Sequence, residues 1–167
     1  MKQRQPKIGA PTEVSTVRDD TLQEFVGYYM KRGSNAVLGD LTSVLKPFKL
    51  RMITYTALVL IVDNPGMKQT QLADAMDIER PNLVIVIDEL ERREWIVRDK
   101  VPTDRRAYAL RATLAGHQQY DRTLKAVRAH ETALLKGIDP KDLRVLVKVV
   151  ADIQKNAKMR KNLGEAL

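Results

Sequence analysis

Residues 69–111 carry a short helix, a tight turn, a longer helix and a hairpin, and no other feature of the chain limits its fold as strongly. The helix and turn lie in the stretch from Gln69-Thr70-Gln71-Leu72-Ala73 to Arg80-Pro81-Asn82-Leu83, and the second helix continues to about Arg93. Trp95-Ile96-Val97-Arg98-Asp99-Lys100-Val101 and Ala107-Tyr108-Ala109-Leu110 then flank a tip of Pro102-Thr103-Asp104-Arg105-Arg106. This is a helix-turn-helix followed by a β-wing. It can set one helix in the major groove of DNA and an arginine in the neighbouring minor groove.

Charge alone does not make that argument. The net charge is +8, but residues 1–10 contribute +3 and residues 141–161 contribute +5. The segment 66–111 carries nine basic and nine acidic residues, so what matters is where its charges point. The chain has no cysteine, which excludes disulfides and thiol chemistry. Its two histidines, His117 and His130, make neither a His-rich metal site nor a histidine-based catalytic centre. No Gly-rich phosphate loop or metal-ligand spacing occurs either, so catalysis is set aside and neither cofactor nor metal is expected. No apolar run approaches 18 residues, so no membrane span is expected and a cytoplasmic location is the default.

The expected organisation is a polar tail over 1–18, N-terminal helices over 19–49 and the winged helix-turn-helix over 50–111. C-terminal helices follow over 112–161, with a tail at 162–167. Helical spacing runs from about Asp19 to Lys46, with Asp19 or Asp20 as cap, Pro47 as stop and a kink or break near Gly33-Ser34. Leu50 to Asp63 reads as an apolar helix closed by Asn64-Pro65-Gly66, and Met67 to Gln69 as a short strand against the wing. Thr113 caps a helix to Lys136, and Asp139-Pro140 opens the last one. Leu143, Leu146, Val147, Val150, Ile153 and Ala157 form an apolar stripe on that helix. It packs either on its own chain or, the preferred reading, in a two-chain bundle built from both termini. The fold class is thus mostly α: a winged helix-turn-helix flanked by long dimerisation helices.

With these residues in view the chain resembles the MarR family of transcription regulators. The resemblance rests on Gln71-Leu72-Ala73, on Leu90-Glu91-Arg92-Arg93, on Pro102-Thr103-Asp104-Arg105-Arg106-Ala107, and on Leu110, Thr113 and Gly116. It implies a homodimeric, ligand-responsive regulator, most simply a repressor, acting on a palindromic operator in double-stranded DNA. It also implies a small anionic effector, often aromatic. The rival class is a winged helix used only for protein interaction, which would show no salt-dependent duplex binding.

Laid on this sequence, Leu83, Val86, Ile87 and Leu90 form the core face of the reading helix, and Pro81, Ile85, Asp88 and Arg92 lie opposite. Val84 and Ile85 are apolar where many relatives are polar, which suits thymine methyls, while Asn82 suits adenine. Arg80 reaches a phosphate or a guanine edge. Gln69, Gln71, Arg98, Lys100, Thr103 and Arg106 complete the expected DNA set, with Arg105 at the wing tip for the minor groove. Asp88 and Glu89 read as a solvated face. The resemblance puts the effector among the first two helices and the fifth. Tyr28, Tyr29, Arg32, Arg51, Met52 and Tyr55 supply an aromatic wall and a carboxylate partner there. Lys141, Arg144, Lys148, Lys155 and Lys158 make a basic stripe on the last helix. It is either plainly solvated or, through Arg144 and Lys148, a seat for the phosphates of an acyl-CoA effector.

Overall fold

One set of fully buried side chains ties the middle of the chain together: Leu58, Ile61, Leu72, Leu83, Ile87, Leu90, Ile96 and Leu110. Each comes from a different turn of helix or strand, and each contributes about 1.5–3 kcal/mol by leaving water. The structure is a computed structural model that describes residues 16–101, 104–162 and 164, and the side chains of all these except 100, 101, 104–107, 161 and 162. The chain divides between Asp40 and Leu41 into two units, and each is taken by itself below.

The first unit holds a 3-10 turn, Leu22–Glu24, and most of helix α1, Val26–Leu45. The expected kink near Gly33 is absent, because α1 runs unbroken through Gly33 and Gly39. Two glycines cost a helix only about 2 kcal/mol together. The break falls earlier, at extended Phe25. Asp19 does not cap α1 as expected. Its carboxylate accepts from Gln23 and from the Tyr28 hydroxyl, and so ties the preceding turn to the first turns of the helix.

The second unit follows the expected order closely. Helix α2, Met52–Asp63, is apolar on most sides and ends where Asn64 Nδ2 donates to the Leu60 carbonyl at 2.9 Å. Strand β1, Met67–Lys68, leads into α3, Gln69–Met76, whose first turn is closed by Lys68 N donating to Gln71 Oε1 at 2.8 Å. Asp77, in the left-handed region at φ 51°, ends α3, and α4, Arg80–Arg92, follows with Pro81 in its first turn. Strands β2, Ile96–Val101, and β3, Asp104–Ala112, form the wing. The antiparallel sheet has the order β1-β3-β2, with Met67 opposite Leu110 and Ile96 opposite Ala112. The short strand against the wing is therefore present.

Helix α5, Leu114–Leu134, is capped as expected: the Thr113 hydroxyl accepts from Gly116 N at 3.0 Å. It also donates to the Glu94 carbonyl at 2.6 Å, which joins the start of α5 to the end of α4. Helix α6, Pro140–Asn162, begins with Lys141 N donating to Asp139 Oδ1 at 2.7 Å. Along α6, Leu143, Val150 and Ile153 are half-buried, but Val145, Leu146, Val147, Val149 and Ala157 face solvent. Within one chain the apolar stripe is therefore largely uncovered. Among the described residues no helix is long and apolar enough to cross a membrane.

Candidate nucleic-acid interface

Helix α4 is two-faced. Leu83, Val86, Ile87 and Leu90 are at most 2% exposed and lock one side into the core. On the other side Arg80, Pro81, Asn82, Asp88 and Arg92 are exposed, as are Val84 at 43% and Ile85 at 62%. Neither Val84 nor Ile85 is packed beneath a neighbouring helix of the same chain. Two β-branched apolar side chains stand in solvent, with polar residues around them.

The remaining expected DNA contacts divide. Gln69 is half-buried, and exposed Gln71 already uses its amide oxygen to hold the entrance of α3. Arg98 is turned inward and is only 22% exposed; it pairs with Asp88 and, at 3.1 Å, with Glu91. This guanidinium ties the wing to α4 and cancels charge on that helix. Thr103 lies outside the described residues. So do the side chains of Lys100, Arg105 and Arg106, although their backbones sit in β2 and β3.

Of the expected solvated acidic face on α4, Asp88 is exposed, but Glu89 is not solvated. Glu89 is 15% exposed and carries two ion pairs, to Arg51 Nη2 at 2.6 Å and to Arg93 Nη2 at 2.5 Å. The Thr54 hydroxyl donates to it at 3.3 Å. Burial works against its charge, but the Arg51 hydrogen bond, the two guanidinium charges and Thr54 outweigh burial. They hold the carboxyl below the usual glutamate range. Arg93 also donates to the Lys49 carbonyl at 2.8 Å, and its guanidinium lies 4.8 Å from the centre of the Trp95 ring. The spacing of Glu89 and Arg93 foretells their i,i+4 pair. Nothing local foretells Arg51, 38 residues away.

The expected effector residues are divided between the two units. In the first unit Tyr28, Tyr29 and Arg32 line a pocket with Asp19 and Gln23. Arg32 Nη1 donates to the Tyr28 hydroxyl at 2.8 Å, and the rings of Tyr28 and Tyr29 meet edge-on at 5.9 Å. The Tyr28 hydrogen bond, followed by that of Gln23, holds the Asp19 carboxyl below its ordinary range. In the second unit Arg51 and Met52 stand at the start of α2, and Arg51 is committed to Glu89. Tyr55 is half-buried one turn on. Burial, then the proximity of Tyr120, pushes its phenol up, so it stays neutral. Tyr120 donates to Asp63 at 3.4 Å. Arg144 and Lys148 are exposed on α6. Among the described residues no group of three or more His, Asp or Glu is placed to hold a metal ion.

Comparison with known proteins agrees with this architecture. The sequence model of the MarR family matches residues 51–108. A transcriptional regulatory protein for an hcr operon in Thauera aromatica is 37% identical over 103 residues, covering 61% of this chain and 62% of that protein. The matched part of the chain thus spans less than two thirds of that relative. The solved transcriptional repressor CouR bound to a 23-mer DNA duplex is 33% identical, with a TM-score of 0.79 over 84% of this chain and 99% of that one. CouR from Rhodococcus jostii RHA1 bound to p-coumaroyl-CoA is 27% identical, with a TM-score of 0.71 over 79% of this chain and 93% of that one. A helix-turn-helix with one side of α4 buried, a wing paired to β1 and near-complete coverage of a solved repressor lead to one conclusion: the chain belongs to the MarR family of winged-helix transcriptional regulators.

Proposed function

We propose that the chain is a ligand-responsive repressor that binds a palindromic operator as a homodimer and is released by a small aromatic acid or its CoA thioester. The observation that carries this reading is the outward row Pro81, Val84 and Ile85 on α4, beside the β2–β3 wing. Apolar side chains on an otherwise polar face gain from contact with apolar groups, and the methyl of thymine is the apolar group of a major groove. Asn82 and Arg80 flank the row for adenine and for phosphate or guanine, and Arg105 at the wing serves the minor groove. The similarity to CouR in complex with DNA supports the same use of these elements.

The uncovered apolar side of α6 supports a second copy of the chain as its partner, since such a stripe in water is unfavourable. For the effector, the neutral phenol of Tyr55 beside Met52 suits an aromatic acyl group, and Tyr28, Tyr29 and Arg32 are the candidates of the first unit. Exposed Arg144 and Lys148 suit phosphates. Similarity to CouR bound to p-coumaroyl-CoA supports a thioester over a free acid.

The test is fluorescence anisotropy with duplexes from upstream of the gene that encodes the protein, at several salt concentrations. One duplex should bind with strong salt dependence, and p-coumaroyl-CoA should release it where coumarate or CoA alone does not. Arg105→Ala should lower the salt slope by about one unit. If no duplex is preferred over scrambled sequence, the reading fails in favour of a protein-interaction module.

A further inference from the structure

Helix α4 is tethered on both flanks of its outward row. On one flank Arg98 of the wing holds Glu91, and it reaches Asp88 on the outward face itself. On the other, about 100° round from the buried ridge, Glu89 is held by Arg51, the residue that opens α2, and by Thr54. Glu89 then passes the connection on: its second oxygen binds Arg93, which reaches the Lys49 carbonyl and covers Trp95. Lys49, at φ 55°, sits in the tight corner between the 3-10 turn Lys46–Phe48 and α2. One carboxylate therefore links the corner before α2, the first turns of α2, the reading helix and the start of the wing.

The buried ridge of α4 cannot do this work alone. Contacts among Leu83, Val86, Ile87 and Leu90 are non-directional, so they hold the helix in the core but only loosely set its rotation about its own axis. Charge-assisted hydrogen bonds with fixed donor geometry do set rotation. Ile85 and Pro81 point away from the core, so a small turn of the helix moves them across a base pair. We infer that Glu89 is a positioning residue for operator recognition: bridging Arg51 and Arg93, it sets the rotation of α4 without touching DNA. This rests on the reading of α4 as the recognition helix. It also fixes the role of Arg51, which holds α4 and makes no phosphate contact.

The test compares wild type with Arg51→Met, Arg51→Lys, Glu89→Gln and the Arg51→Met, Glu89→Gln double variant. Each is titrated with a duplex selected from a random pool by the wild-type protein and with a scrambled duplex, at a temperature where all variants are folded. Arg51→Met and Glu89→Gln should each weaken the selected duplex about tenfold and leave the scrambled one within about twofold. The double variant should be no worse than the singles, and Arg51→Lys should recover most of the loss. Trp95 is the one tryptophan of the chain. Its emission in the DNA-free protein should shift in Glu89→Gln, because Arg93 loses its charged anchor beside the ring. Equal weakening of both duplexes by Arg51→Met would make Arg51 a phosphate contact and overturn the inference, as would additive losses in the double variant. The emission measurement needs no operator. It decides the link even if no duplex is selected, and unchanged Trp95 emission in Glu89→Gln would refute it.

Discussion

Gly116→Ala probes the joint between the end of α4 and the start of α5. A Cβ built on Gly116 would lie 1.9 Å from the Trp95 carbonyl oxygen and 2.9 Å from its carbon, and both are backbone atoms. Real Cβ contacts essentially never fall below 3.0 Å, so α5 must retreat by about 1.1 Å. Two hydrogen bonds cross the same joint. Thr113 N donates to that carbonyl at 3.0 Å, and the Thr113 hydroxyl donates to Glu94 O at 2.6 Å. Overpacking costs about 1–3 kcal/mol and each stretched bond about 1 kcal/mol, while alanine regains about 0.5–1 kcal/mol in a helix. The net loss is roughly 2–4 kcal/mol, or about 5–15 °C in Tm for a chain of this length. Gly33→Ala is the matched control: it makes the same chemical change inside α1, and its Cβ meets nothing within 4 Å. It should leave stability unchanged or raise it by up to about 1 kcal/mol. Thermal denaturation followed by far-UV circular dichroism measures both. A Gly116→Ala variant that melts at or above wild type would refute the close-approach argument.

Three further outcomes are expected. Glu89 has a folded-state pKa below its unfolded value of about 4.3, so its contribution to stability is complete above that value and is lost as pH falls through the folded one. Denaturant titrations from neutral to acid pH should therefore show wild type more stable than Glu89→Gln near neutrality, with the gap closing below about pH 4; a gap that stays constant would contradict the assignment. Leu146→Asp or Val147→Asp puts a charge on the uncovered stripe of α6 and should yield monomers by light scattering with loss of duplex binding; a dimer of wild-type affinity would assign the stripe to something else. Replacing thymine by uracil at the position read by Ile85 removes only a methyl and should weaken binding severalfold, an effect that Ile85→Ala should abolish; equal affinity for both duplexes would leave Ile85 without this role.

Much of the winged helix was written in local signals. The Thr113 cap, Asp139-Pro140 at the start of α6 and the Asn64-Pro65-Gly66 stop each depend on a few neighbouring residues, and each is observed. The buried side of α4 followed from spacing alone, because four apolar residues on one arc have no other stable place to go. Where local signals were weak, they misled. Gly33 suggested a break that α1 does not make, since glycine's cost is small beside continuous helical hydrogen bonding. Asp19 looked like a cap but serves as an acceptor for Tyr28 and Gln23.

Tertiary structure alone decided the charges. In the sequence Asp88 and Glu89 read as solvated, Arg98 as facing DNA and Arg51 as facing a ligand. Folding pairs each with a residue 7 to 38 positions distant. Periodicity records which face of a helix is apolar, because burial depends on residue type at fixed spacing. Beyond an i,i+4 pair such as Glu89 and Arg93, it records nothing of which guanidinium meets which carboxylate, because that requires the positions of two elements at once. In this chain those pairings determine which arginines are committed to carboxylates and how α4 is held.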